Sequence, residues 1–182
     1  MHRFDRARVL LALVEELRAK GSWAGETHVQ KATYFLQHLL GVPLEFPFIL
    51  YKHGPFSFEL RDELASMRVQ DFLAWELQAY PYGPSLAPAS ASGLLKKQFP
   101  NMVARYANQI QFVAAKLDGK NVAELERLAT GLYVTLDGTV PPGQRTTRIH
   151  ELKPHVTIPE AEAAVRELDQ IRAEAARLQP TA

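Results

Sequence analysis

Cysteine is absent from the sequence. That excludes a disulfide framework, a cysteine-ligated metal and a cysteine nucleophile, and it agrees with a reducing compartment. Long apolar runs are absent too: none approaches the roughly 18 to 20 residues that cross a bilayer. The start, Met1 to Arg8, places Asp5 ahead of an amphipathic stretch, unlike a signal peptide. A cytoplasmic protein with no membrane partner is expected. Net charge is nearly nil, since 21 Lys and Arg face 20 Asp and Glu for a formal +1, so no global attraction draws the chain to nucleic acid or anionic lipid.

Catalytic signatures are missing as well. The six histidines include no His-Glu-x-x-His pair. His28 and His38 fall on different faces of one predicted helix, and His150 and His155 straddle Pro154, so no metal site is expected. There is no Gly-x-Ser-x-Gly elbow, phosphate-binding glycine loop or dinucleotide fingerprint. The reading is a non-enzymatic protein with no cofactor.

What is present suffices for one globular domain: 182 residues, 47% of them hydrophobic. The chain centres on Tyr51 to Met67. Gly54-Pro55 reads as a turn that no regular helix passes, and Ser57 as the cap of a new helix. Leu60, Leu64 and Met67 then recur at helical spacing, which turns one face inward and leaves Glu59, Arg61, Asp62 and Glu63 mostly outward.

Taken in order, a first helix runs from an Asp5 cap to about Lys20, with Val9, Leu10, Leu13, Val14 and Leu17 as its stripe and Gly21-Ser22 as its end. Thr27 and Gln30 fit a capping box for a second helix that stops at Gly41 and Pro43. On it Lys31, Tyr34 and His38 share another face, read as solvated. Residues 44–51 suggest an edge strand, because Pro47 cannot donate to a ladder. Phe72 to Leu86 reads as a hairpin, or wing, turning near Gly83 after Tyr80-Pro81-Tyr82, with a helix over 72–79 as the competitor.

Ala87 to Gly93 reads as a loop. Helices follow over Pro100–Leu117 and Val122–Leu136, then an irregular loop over Thr139–Thr147 and a short helical piece near Arg148–Lys153. Thr157 and Glu160 open a last helix whose line from Ala161 to Leu178 suits packing within the monomer, with a dimer seam as the second use. The expected fold class is mainly α with a small β-hairpin. Residues 1–89 form a winged helix-turn-helix-like half, and residues 90–182 form a helical half packed on it as one unit.

Segment charge bears on function. Residues 54–89 hold Arg61 and Arg68 against Glu59, Asp62, Glu63, Asp71 and Glu76, a net −3, the wrong sign for phosphates. Residues 90–117 hold Lys96, Lys97, Arg105 and Lys116 with no acid, a net +4. A protein partner suits the acidic helix better than DNA does.

The stretch Thr27-His28-Val29-Gln30-Lys31-Ala32-Thr33-Tyr34-Phe35-Leu36, with Tyr51-Lys52-His53-Gly54-Pro55-Phe56-Ser57, resembles Panacea-domain proteins and the related YwgA-like bacterial proteins. In those, a leucine-glutamine-lysine-leucine-x-tyrosine helix precedes a tyrosine-x-x-glycine-proline-tyrosine-serine turn. Glu124 to Thr130 and Glu151 to Thr157 resemble the YwgA-like group. Phe56 stands where tyrosine is common and Ala32 where leucine is common. The resemblance implies a helical, winged-helix-like domain that acts as an antitoxin by binding a protein, a cognate toxin.

The expected function is therefore regulation through a protein partner, with no small-molecule cofactor. The candidate binding residues are Phe58, Glu59, Arg61, Asp62 and Arg68 on the acidic helix, and Arg105, Phe112 and Lys116 on the later one. Two readings of Phe112 stay open: an exposed anchor, or a residue covered by the final helix. His53 reads as serving its own turn. The alternative function is a winged-helix transcriptional regulator with Arg61 and Arg68 reading DNA and Lys96, Lys97 and Arg105 on phosphates.

Overall fold

Residues 7–14 of the first helix are buried without a break, so this helix is enclosed rather than merely striped. In the computed structural model, which describes residues 1–78 and 83–178, it is α1 (Arg3–Ala19). Around it lie α2 (Glu26–His38), α4 (Ser92–Gln98) and α5 (Pro100–Leu117), with α6 (Val122–Leu136), α7 (Arg145–Leu152) and α8 (Ile158–Ala175) stacked beyond α2. The hairpin strands are β1 (Ile49–Tyr51) and β2 (Gly54–Phe56). After α3 (Phe58–Val69) come β3 (Leu73–Glu76) and β4 (Ser85–Pro88). The described chain is thus mainly helical with two small antiparallel sheets.

One core joins Leu10, Met67, Ile110, Leu128 and Ile171, so apolar contact is continuous across residues 89 and 90. A satellite of Val134, Ile149, Val156 and Ala161 seals α7 and the start of α8 onto α6. Because α8 spends Ala161, Ala164, Leu168, Ile171 and Ala175 in this way, its apolar line is used inside the monomer. Among the described residues no helix is long and apolar enough to cross a membrane.

Local chemistry sets several boundaries. Ser57 Oγ accepts from the Leu60 amide at 3.2 Å and opens α3, as its sequence implies. Asn121 and Glu124 exchange hydrogen bonds at the start of α6. At α8 the Glu160 carboxylate accepts from the Thr157 amide and hydroxyl at 2.9 and 2.7 Å. Pro100 and Val122 begin α5 and α6 where the periodicity places them.

Other expectations are corrected. Asp5 lies inside the first turn of α1, whose cap is His2, and α2 is capped by Gly25 rather than Thr27. The strand over residues 44–51 shrinks to Ile49–Tyr51, and Gly54-Pro55 is not the turn but its partner strand. Tyr51 pairs with Gly54 across a two-residue Lys52-His53 turn, which makes a second hairpin. The hairpin read as a wing forms, with Trp75 opposite Leu86, and β3 excludes the competing helix; Tyr80-Pro81-Tyr82 lies outside the described residues.

Ala87–Gly93 is not a free loop, because it finishes β4 and starts α4. The irregular segment 139–147 shortens likewise, since a 3-10 turn at Pro142–Gln144 leads into α7 at Arg145. Glu63 is buried rather than outward, reached by Arg3 at 3.4 Å. Lys31 and Tyr34 are buried too, at 1% and 2% exposure, so of the supposed solvated face only His38 meets water.

Candidate partner-binding face

The β1–β2 hairpin carries alternating side chains, so Ile49 and Tyr51 lie on one face, with Phe56 directly across from Ile49. Phe58 begins α3 two residues later. Tyr51, Phe56 and Phe58 meet with ring centroids 5.7, 5.4 and 5.1 Å apart, a mutual cluster of tilted and edge-on rings. It is not sequestered: Ile49, Tyr51 and Phe58 are 50%, 51% and 40% exposed. The Arg61 guanidinium lies 5.1 Å from the Phe58 ring centre, and exposed Lys52, His53, Glu59 and Asp62 give the patch a charged rim.

Buried polar side chains hold this face from behind. Gln30 is fully enclosed and clamps the Ser57 backbone, donating to its carbonyl at 2.9 Å and accepting from its amide at 3.0 Å. Lys31 donates to the Pro55 carbonyl at 2.8 Å, and Lys153, at the end of α7, donates to the carbonyls of Tyr51 and Lys52 at 2.6 and 2.7 Å. A short isolated hairpin is marginal in water, so these bonds from two helices supply rigidity that its own ladder cannot.

The counter-charge is Glu126 on α6. Its Oε1 lies 3.3 Å from both Lys153 Nζ and His155 Nε2, and its Oε2 lies 3.6 Å from His53 Nδ1. His53 thus forms part of the turn, and its ring lies beside a buried carboxylate. Burial pushes the Lys31 ammonium down to about 8, with Glu126 opposing that shift and Lys153 adding to it.

Gly54 makes the close approach possible. Its φ is +83°, and a Cβ there would lie 3.2 Å from Thr130 Oγ1 and 3.4 Å from the Glu126 carbonyl. Gly54→Ala is expected to lower stability by about 1–3 kcal/mol, read as a fall in the urea midpoint, through positive-φ strain and that contact. An unchanged midpoint would mean that the hairpin is free to lift from α6.

Of the sequence-predicted residues, Phe58, Glu59, Arg61 and Asp62 converge at the start of α3. Arg61 also reaches Asp62 at 3.2 Å, and Glu59 accepts from Arg6 at 3.3 Å. Arg68 lies at the other end of α3, its guanidinium 4.7 Å from the Trp75 ring centre. Arg105, Phe112 and Lys116 are on α5, a separate element packed on α1 and α2. Phe112 is half-buried against the main core, while Lys116 sits 5.6 Å from its ring and pairs with Glu174 of α8 at 2.5 Å.

Sequence reading missed Ile49, Tyr51 and Phe56 as parts of the face. The signal available was the alternation of large apolar residues on either side of Lys52-His53. Among the described residues no group of three or more metal-binding side chains is placed to hold an ion. No protein-family model matches the chain, and no curated protein matches it.

Proposed function

We propose that the protein regulates a protein partner by binding it through the face formed by Ile49, Tyr51, Phe56 and Phe58. The observation that carries this reading is an exposed aromatic cluster on a backbone clamped from beneath. Aromatic anchors at the centre of a patch with a charged rim are the usual source of interface energy, and a held backbone lowers the ordering cost of association. The resemblance to Panacea-domain proteins supports a toxin as that partner and an antitoxin-like role.

DNA binding through α3 is the weaker reading. Arg61 is engaged by Asp62 and Phe58, Arg68 by Trp75, and Lys96 pairs with Glu15. A tagged pull-down from the native host, with and without nuclease, tests both readings. The expected result is one stoichiometric protein that survives nuclease. Its affinity should fall by about 2 kcal/mol or more, roughly 30-fold, in Tyr51→Ala and Phe58→Ala. A discrete DNA site lost on reversing Arg61 and Arg68 to glutamate would replace this proposal with the regulator reading.

A further inference from the structure

Where α2 and α6 both end, a pocket of about 260 Å³ is lined by Tyr34, His38, Phe48, Tyr133, Leu136 and Asp137. Three rings form its wall: Tyr34 lies 4.7 Å from His38 and 5.0 Å from Phe48, and His38 lies 5.7 Å from Phe48. Tyr133 adds a fourth. We propose that this pocket binds an organic cation, a methylated ammonium or guanidinium head group, between its rings and the Asp137 carboxylate.

The sign of the ligand follows from charge. Among the described residues no lysine or arginine lines the pocket. Helix α2 ends at His38 and α6 at Leu136, so two helix C-termini direct partial negative charge toward this corner of the fold. Asp137 Oδ1 accepts from the Thr139 hydroxyl at 2.7 Å and its amide at 3.1 Å, which holds the carboxyl below its usual range and keeps it ionised. Packing against Tyr34 and Phe48 strips part of the hydration from the otherwise exposed His38 imidazole and lowers it from its ordinary value, so at neutral pH it adds no competing charge.

Arg148, the cation that acts on Asp137, is itself paired with Glu151 at 3.0 Å. Ring faces attract cations and repel anions, so aromatic walls, a carboxylate and two helix ends favour the same ligand. An apolar ligand would use the rings but gain nothing from Asp137. The volume admits a head group with a short substituent and falls below that of pockets for drug-sized molecules.

Such a head could come from a free metabolite of choline type or from a methylated lysine or arginine side chain on a protein. NMR titration of the tyrosine ring resonances separates charge from shape by comparing choline with its neutral carbon isostere, 3,3-dimethylbutan-1-ol. Choline is expected to give saturable shifts at Tyr34 and Tyr133, with affinity about tenfold above the isostere.

Phe48→Ala and Asp137→Asn should each weaken choline by about three- to tenfold. Asparagine retains an acceptor for Thr139, so the second variant removes charge and leaves the turn intact; an unchanged amide spectrum away from the pocket confirms its fold. A trimethyllysine peptide that binds more tightly than choline identifies a protein side chain as the source, and one that binds no better identifies the free cation. Absence of saturable shifts, equal binding of the isostere, or full affinity in Asp137→Asn would overturn the proposal.

Discussion

Glu126→Gln is expected to lower the stability of the protein by about 3–5 kcal/mol, the range found when one member of a buried charge pair is removed. The substitution keeps the shape and deletes one negative charge at a site 5% exposed. Lys153, 6% exposed and 3.3 Å from that carboxylate, and Lys31, 1% exposed and under its influence, would then be buried cations that repel one another with no anion between them. His53 and His155, which approach from the solvent side, bring no negative charge to replace it.

The loss should centre on one place. Lys31 and Lys153 hold the carbonyls of Pro55, Tyr51 and Lys52, so hydrogen exchange in the hairpin should accelerate more than in α1. Urea midpoints measure the first effect and amide exchange the second. A fall below about 1 kcal/mol, the size of an exposed pair, would mean that water already reaches this network. Partner affinity should fall with hairpin rigidity even though Glu126 touches no partner in the proposed mode.

The elements legible in the sequence are those whose boundaries rest on local chemistry. Pro100 at a first helical turn, the Ser57 cap and the Thr157–Glu160 pair act within one helical turn, so their neighbours determine them. Thr27 and Gln30 carry the same local pattern, yet Gln30 serves Ser57, 27 residues away, and the box does not form. Periodicity marks Lys31 as polar and hence as surface. Nothing near it in the chain reveals that the Pro55 carbonyl will need a donor.

The same limit applies to both sites. Phe58, Glu59, Arg61 and Asp62 were visible together because one helix start displays them. The aromatic face also needs the β1–β2 pairing, which depends on a two-residue turn that the Gly-Pro punctuation obscured. The cation pocket draws Tyr34 and His38 from α2, Phe48 from the approach to β1, and Tyr133 and Asp137 from the end of α6. No local pattern joins such distant segments; the core that packs α2 against α6 does so.

Lys31 also makes stability rise with pH in an alkaline window. Its folded value is about 8 against the usual 10.5, so between those values the unfolded chain holds a proton that the folded chain has released. Stability grows wherever the unfolded state binds more protons, by up to about 1.4 kcal/mol per pH unit for one group. The penalty of burying the ammonium is therefore fully present below pH 8 and is relieved progressively toward 10.5. Tyr34 works in the opposite sense above pH 10, because burial raises its phenol well beyond the ordinary 10.0 and the unfolded chain alone ionises there. The clean interval lies between these effects.

Urea unfolding of the wild type and Lys31→Met across that interval isolates the group, since all other titrations cancel in the difference. Relative to the variant, the wild type is expected to gain about 2 kcal/mol over two pH units. In the Glu126→Gln background the gain should begin at lower pH, because the carboxylate that holds the Lys31 value up has gone. A difference that stays flat across the interval would mean that Lys31 keeps an ordinary ammonium in the folded state. The hairpin would then be held at Pro55 by a hydrated charge rather than by a dehydrated one, and the rigidity assigned to the partner-binding face would rest on Gln30 and Lys153.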